Sequence, residues 1–235
     1  LLINSPNRKS EPPRHYPYGL AIVGDLIRNK GNIVDYFDGN FRSLEDYRRV
    51  LEKENYDLVG ISGLVTTYPY QRDIARITKQ VSPNSVVVLG GGLAGAVQGE
   101  LLELIPHTDV LFVGEGETSV PTFIDVMMHG SSYSQVQGII YRDGSKIVNK
   151  GMPQLAEDFN LVPTLKGIDI EHYFDNGSFP LTPNVQSAKR RGNVLTSRGC
   201  PFHCDFCFNL LGRKKVRYRS SESVMEEIDY LIRDF

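Results

Sequence analysis

The sequence predicts an α/β protein: a doubly wound parallel-sheet domain of the Rossmann or flavodoxin kind over residues 1–135, a hairpin and interdomain linker over 136–192, and the first βα unit of a further domain over 193–235. Three observations predict it. Short apolar runs alternate with segments whose apolar residues recur every three or four positions; an Asp-Gly pair separates two β-rich runs; and all three cysteines sit in one loop near the end of the chain.

The strand candidates are Leu1 to Asn4, Ile33 to Phe37, Asp57 to Ser62, Val86 to Leu89 and Val110 to Val113. Continuous apolar runs suit strands buried on both faces. Between them Leu20, Val23 and Ile27 recur at helical spacing, as do Leu44, Tyr47 and Leu51, then Ile74, Ile77 and Val81, and then Val120, Phe123, Ile124 and Met127. Each stripe can cover one sheet face, and short connections force parallel pairing through right-handed crossovers. Further on, Gly138 to Val148 reads as a hairpin turning at Asp143-Gly144. From Gly151 to Arg191, Pro153, Pro163, Pro180 and Pro183 prevent long regular elements, which predicts a linker. A new strand is expected near Asn193 to Thr196, followed by the cysteine loop and a helix whose Ser223-Val224-Met225-Glu226 reads as a capping box.

Composition narrows the function classes. With 235 residues, 40% hydrophobic side chains and a formal net charge of −2, the chain can bury a core and is neither disordered nor collagen-like. No apolar run reaches the roughly 18 residues that span a bilayer, so no membrane role is expected. Near-neutral charge gives no reason to expect nucleic acid as a partner. Three cysteines without a signal peptide argue against a disulfide framework and predict a cytoplasmic protein. The chain opens on a strand at Leu1 and closes on a helical pattern at Phe235, so a fragment of a longer protein is expected.

The cysteines form Cys200-Pro201-Phe202-His203-Cys204-Asp205-Phe206-Cys207, a CxxxCxxC spacing. Thiolates this close repel one another unless a cation neutralises them, so the spacing reads as a soft-metal or iron-sulfur site. Three ligands leave one coordination position open, and open positions do chemistry. Two plainer readings stand beside it: a structural zinc closed by His203 or a distant histidine, and simple buried or redox-sensing thiols.

With an aromatic residue just before the last cysteine and a strand in front, this motif resembles the signature of the radical SAM superfamily. The resemblance implies that Cys200, Cys204 and Cys207 ligate a 4Fe-4S cluster. It implies that the free iron binds S-adenosyl-L-methionine (SAM), with Phe206 near the adenine. An electron from an external donor of the flavodoxin or ferredoxin type would then generate a 5'-deoxyadenosyl radical. It also implies that residues 193–235 open a radical SAM (β/α) barrel of the TIM type. That stretch holds little more than one βα repeat of about 30 residues, so the barrel is truncated and the segment alone is expected to be inactive.

Ligands of an open parallel sheet bind outside the carboxyl ends of its strands. There the sequence places Ser62-Gly63-Leu64, Gly90-Gly91-Gly92 and Gly114-Glu115-Gly116-Glu117. Glycine permits close backbone approach to a broad ligand, although each loop alone could be an ordinary strand-to-helix turn, with Glu117 serving a helix dipole. Beside the cysteine motif, these loops resemble the cobalamin-binding domain of one radical SAM class: Ser62 and Leu64 match its Ser-x-Leu element, Gly90-Gly91 its Gly-Gly element, and Gly114 to Glu117 its Gly-Glu-Gly-Glu turn. Cobalamin mutases carry Asp-x-His-x-x-Gly after the first strand; here Asn4-Ser5-Pro6-Asn7-Arg8-Lys9 offers no histidine as lower axial ligand. The basic residues around the cysteines, Lys189-Arg190-Arg191 and Arg213-Lys214-Lys215 with Arg217 and Arg219, read as a solvated loop or as an attractor of an anionic substrate.

The resemblance implies a cobalamin-dependent radical SAM methyltransferase acting on a small-molecule or peptide substrate. Non-methylating cyclases and ring-rearranging enzymes of the same class share these motifs. A zinc-stapled nucleotide- or protein-binding module is the alternative from a different class.

Overall fold

A computed structural model of the chain describes residues 1–6, 13, 15–156, 158–176, 192–202, 204–207 and 216–235. Five parallel strands, β1 (Leu2–Asn4), β2 (Tyr36–Asp38), β3 (Leu58–Ser62), β4 (Val86–Gly90) and β5 (Val110–Phe112), continue into an antiparallel hairpin of β6 (Ile139–Asp143) and β7 (Lys146–Asn149). The sheet order is β2-β1-β3-β4-β5-β6-β7, the doubly wound order the alternation predicts.

Two-residue periodicity sends alternate side chains to opposite faces. Ile3, Ile61, Leu89 and Leu111 pack against α2 (Leu44–Lys53), α3 (Tyr68–Val81), α4 (Gly92–Val97) and α5 (Glu100–Leu104), whereas Leu2, Val88 and Val110 face α1 (Tyr18–Arg28) and α6 (Gly116–His129). Local chemistry starts these helices. Ser43 and Asp46 form a reciprocal capping box on α2, and α3 carries a proline in its first turn.

Several elements differ from expectation for identifiable reasons. Strand β2 starts at Tyr36, and Ile33 is 93% exposed, because the apolar run begins before the chain reaches the sheet. Helices α4 and α5 went unpredicted: the first opens on glycines and neither is long enough to show a stripe. The hairpin is built onto the main sheet, β6 pairing with β5.

Beyond the hairpin the chain straps the leading domain. Thr164 donates to both carboxylate oxygens of Asp25 at 2.6 Å, Arg28 donates to the Lys166 carbonyl at 2.8 Å, and α7 (Glu171–Asn176) inserts Tyr173 against Asn4 and Asp38. The strand expected at 193–196 lies slightly later, as β8 (Ser197–Arg198), and pairs antiparallel with β9 (Arg217–Tyr218) at the two ends of the cysteine loop. Helix α8 (Ser221–Asp234) follows. Its N-cap is Ser220, whose hydroxyl accepts from the Ser223 amide at 3.1 Å, so Ser223 is inside the helix and not its cap. Pro180 and Pro183 lie outside the described residues.

Candidate functional site

Strand order reverses between β1 and β3, which opens a crevice at the carboxyl edge of the sheet. A cavity of about 610 Å³ runs from that edge down between the sheet and helices α1 and α6. Its floor is Leu2, Gly60, Val88 and Phe112, its helical wall includes Val23, Ile27, Val120 and Phe123, and its rim carries Ser62, Gly90, Gly91 and the 114–117 turn. The size suits an organic cofactor or a large part of one.

The glycines do different things here. A side chain at Gly90 would enter open space, its nearest neighbour being Phe112 Cβ at 3.9 Å, so this glycine leaves room at the rim. Gly91 has φ +82°, and a Cβ there would lie 2.9 Å from the Gly63 carbonyl, so it lets two loops close on each other; the Leu93 amide adds a hydrogen bond to that carbonyl at 3.4 Å. Gly60, unremarked in the sequence, removes a side chain from the cavity floor, where a Cβ would meet Leu2 at 2.7 Å. Leu64 and Gly92 pack against each other outside the cavity lining.

Glu115 and Glu117 border the cavity with their carboxylates turned to arginines from the far end of the chain. Glu117 accepts from Arg198 at 2.6 Å, Glu115 lies 3.5 Å from Arg198, and Glu115 also accepts from Arg217. Both guanidinium groups stack on Phe159, at 5.2 and 4.9 Å from its ring centre. Arg219 forms a buried ion pair with Glu227 and donates to Tyr18 and to the Leu195 carbonyl at 3.1 Å. Neither Arg217 nor Arg219 is therefore a solvated loop residue or a free anion attractor; Lys189 to Arg191 and Arg213 to Lys215 lie outside the described residues.

The cysteine loop is a different kind of place. Cys200 is half-buried, Cys204 and Cys207 are exposed, and all three thiols are free. The Cys207 amide donates to the Cys204 carbonyl at 2.9 Å, a tight turn, while Phe206 is 93% exposed and lies outside the cavity lining. Among the described residues no group of three or more His, Cys, Asp or Glu is drawn together at metal-binding distance. The donor set itself, three soft thiolates within eight residues, fits an iron-sulfur cluster. His203 and Asn7 to Lys9 lie outside the described residues.

Sequence reasoning missed the roof of the cavity. His15, Tyr16 and Tyr18, together with Asn193 to Leu195 and Arg198, line it. His15 Nδ1 is 2.9 Å from Asn193 Oδ1, and the Tyr16 hydroxyl donates to the Asn193 carbonyl. Burial first, and the Glu227 carboxylate second, push the Tyr16 and Tyr18 phenols well above the usual tyrosine range, so both remain neutral donors. The segment before α1 contains prolines and no apolar period, so it gave no signal.

The fold and its cavity define a doubly wound α/β domain with a cavity at the carboxyl edge of its sheet, joined to a cysteine-bearing unit. Residues 9–124 match the family model of the B12 binding domain. The chain is 28% identical over 218 residues to the uncharacterized methyltransferase PH0819 of Pyrococcus horikoshii, covering 92% of this chain and 45% of that protein. It is 24% identical to the anaerobic magnesium-protoporphyrin IX monomethyl ester cyclase of a Synechocystis strain, covering 99% of this chain and 46% of the relative. The solved structure of the radical S-adenosylmethionine methyltransferase TsrM from Kitasatospora setae, with cobalamin and a [4Fe-4S] cluster bound, superposes with a TM-score of 0.72 at 20% identity, over 99% of this chain and 45% of that one. The resemblance to cobalamin-dependent radical SAM enzymes read from the motifs is thereby shown, and the chain spans less than half the length of these relatives. Among the described residues no helix is long and apolar enough to cross a membrane.

Proposed function

We propose that this chain is the cofactor-binding part of a cobalamin-dependent radical SAM methyltransferase. One observation carries the reading: the cavity at the carboxyl edge of the sheet and the CxxxCxxC loop share a wall, because Arg198, two residues before Cys200, lines the cavity. When bound, a 4Fe-4S cluster with SAM supplies a radical-generating electron transfer and cobalamin supplies a transferable methyl group.

The chain's own residues bind and orient. Ser62, Gly90 and Gly91 form the rim on which a corrin ring can lie, and the apolar slot between Gly60, Val88, Phe123 and Ile27 takes a nucleotide tail out of water. Tyr16, Tyr18 and Asn193 close the cavity on the side of the second unit. Cys200, Cys204 and Cys207, which follow β8 in the chain, hold the cluster. Among the described residues the loop between β1 and α1 carries one histidine, His15, which lines the cavity roof with its Nδ1 2.9 Å from Asn193 Oδ1. The likeness to a cyclase keeps ring formation as a second reaction for the same cofactors.

The test is anaerobic reconstitution with ferrous iron, sulfide and hydroxocobalamin, followed by gel filtration. The expected result is a brown protein fraction carrying iron, acid-labile sulfide and the corrinoid spectrum together. Stoichiometric zinc without sulfide would overturn the cluster assignment, and a corrinoid that elutes apart from protein would overturn the cavity assignment.

A further inference from the structure

The turn at 114–117 was expected to touch the cofactor, yet its two carboxylates are engaged elsewhere. Glu115 is the N-cap residue of α6 and Glu117 lies in the first helical turn, so both stand on a rigid element of the leading domain. Their partners, Arg198 and Arg217, are cross-strand neighbours in the β8/β9 ladder. One arginine precedes the cysteine loop and the other follows it. All four side chains are largely covered, between 7% and 16% exposed, and Phe159 from the strap lies against both guanidinium groups. The Ala156 carbonyl accepts from Arg217 at 3.2 Å. Two negative and two positive charges thus balance where solvent screens them little, a setting in which removing one partner is costly and geometry is tightly fixed.

We infer that Glu115 and Glu117 are positioning residues: through Arg198 and Arg217 they clamp both ends of the cysteine loop to the rim of the cavity and so set the distance between whatever the cysteines hold and whatever the cavity holds. The inference rests on the cofactor assignment for the identity of the two bound groups, but the clamp itself does not. Charge-assisted contacts from two carboxylates to two cross-strand arginines tie both strands of the ladder to one helix start, which a loop tethered only by its backbone ladder of two residue pairs would lack.

Two measurements test it. In the chain loaded with iron, sulfide and cobalamin, then reduced until cluster and cob(II)alamin each carry an unpaired electron, pulsed dipolar electron paramagnetic resonance reads the distance between them. In the fraction of Glu117→Gln and of Glu115→Gln that carries both iron and corrinoid, that distance distribution should broaden or shift. The surface-pair variant Lys30→Gln, which breaks the 2.6 Å bridge to Asp125, should leave it unchanged. A distribution identical to wild type in both glutamate variants would overturn the inference. The second measurement needs no cofactor: hydrogen exchange of the Arg219 amide, which donates to the Thr196 carbonyl at 2.9 Å beside the ladder, should quicken roughly tenfold in Glu117→Gln. Unchanged exchange would dismiss the clamp. Should the wild-type chain retain neither iron nor corrinoid, the cofactor assignment fails and this second measurement still decides the clamp.

Discussion

The cavity of the leading sheet and the cysteine loop are two sites of opposite construction. The cavity is made of strands, helices and backbone: its walls are core side chains such as Leu2, Val88 and Phe123, and its shape exists because Gly60 and Gly90 lack side chains. Among the described residues the cysteine loop is anchored by a two-pair ladder and an ion-pair clamp, Cys200 is half-buried, Cys204 and Cys207 are exposed, and no three metal-binding groups are drawn together. A packed wall is set by folding. A set of thiolates repels itself and gathers only when a cation compensates the charge. The difference teaches that the first site should bind by fit and the second by assembly.

The sharpest way to break the comparison is a pair of variants, one per site. Cys204→Ser should abolish iron and sulfide incorporation and leave corrinoid retention within experimental error of wild type. Gly90→Leu should do the reverse. Its side chain enters open space, so the protein folds, but the rim is filled and cobalamin affinity falls by about 10- to 100-fold or more. Iron content and corrinoid co-elution, measured on both proteins, check this. If Cys204→Ser also lost the corrinoid, the two sites would be one cooperative unit and the contrast would fail.

A smaller effect separates neighbouring glycines. Gly91→Ala places a Cβ 2.9 Å from a backbone carbonyl at φ +82°, so it should destabilise the fold by about 1–3 kcal/mol. Urea denaturation measures that loss, and corrinoid affinity in the folded fraction should fall much less than in Gly90→Leu. Equal binding defects in the two variants would mean that Gly91 touches the ligand directly.

How much of this was legible in the sequence follows the same division. Local patterns were readable: Val88 and Leu89 alternate between two cores, and Leu44, Tyr47 and Leu51 form one helical stripe. What failed to show depends on pairing over distance. Arg217 lies 102 residues from Glu115, so a basic flank and an acidic turn looked like separate features when they are one clamp. Arg219 looked solvated because its neighbours are basic, yet it is buried with Glu227 on the next helix. Gly90 and Gly91 are the same letter, and only backbone conformation and surroundings show that one leaves open space at the rim while the other lets two loops close.

The least of the expected effects tests whether the cavity's roof is as firmly built as its floor. Tyr47 and Tyr173 are buried in or against the leading domain, Tyr16 at its junction with the second unit, and burial raises all three phenols above the ordinary range. An unfolded tyrosine ionises near pH 10. Above that pH the unfolded chain releases protons that the folded chain keeps, so unfolding is favoured progressively. Stability should be insensitive to these groups from pH 7 to 9 and then fall by up to about 1.4 kcal/mol per pH unit for each tyrosine. Denaturation midpoints with pH give the slope, and Tyr16→Phe should reduce it by one tyrosine's share. If Tyr16→Phe leaves the slope untouched, the roof opens before the sheet unfolds, and the junction is a separately melting lid on a pre-formed cavity.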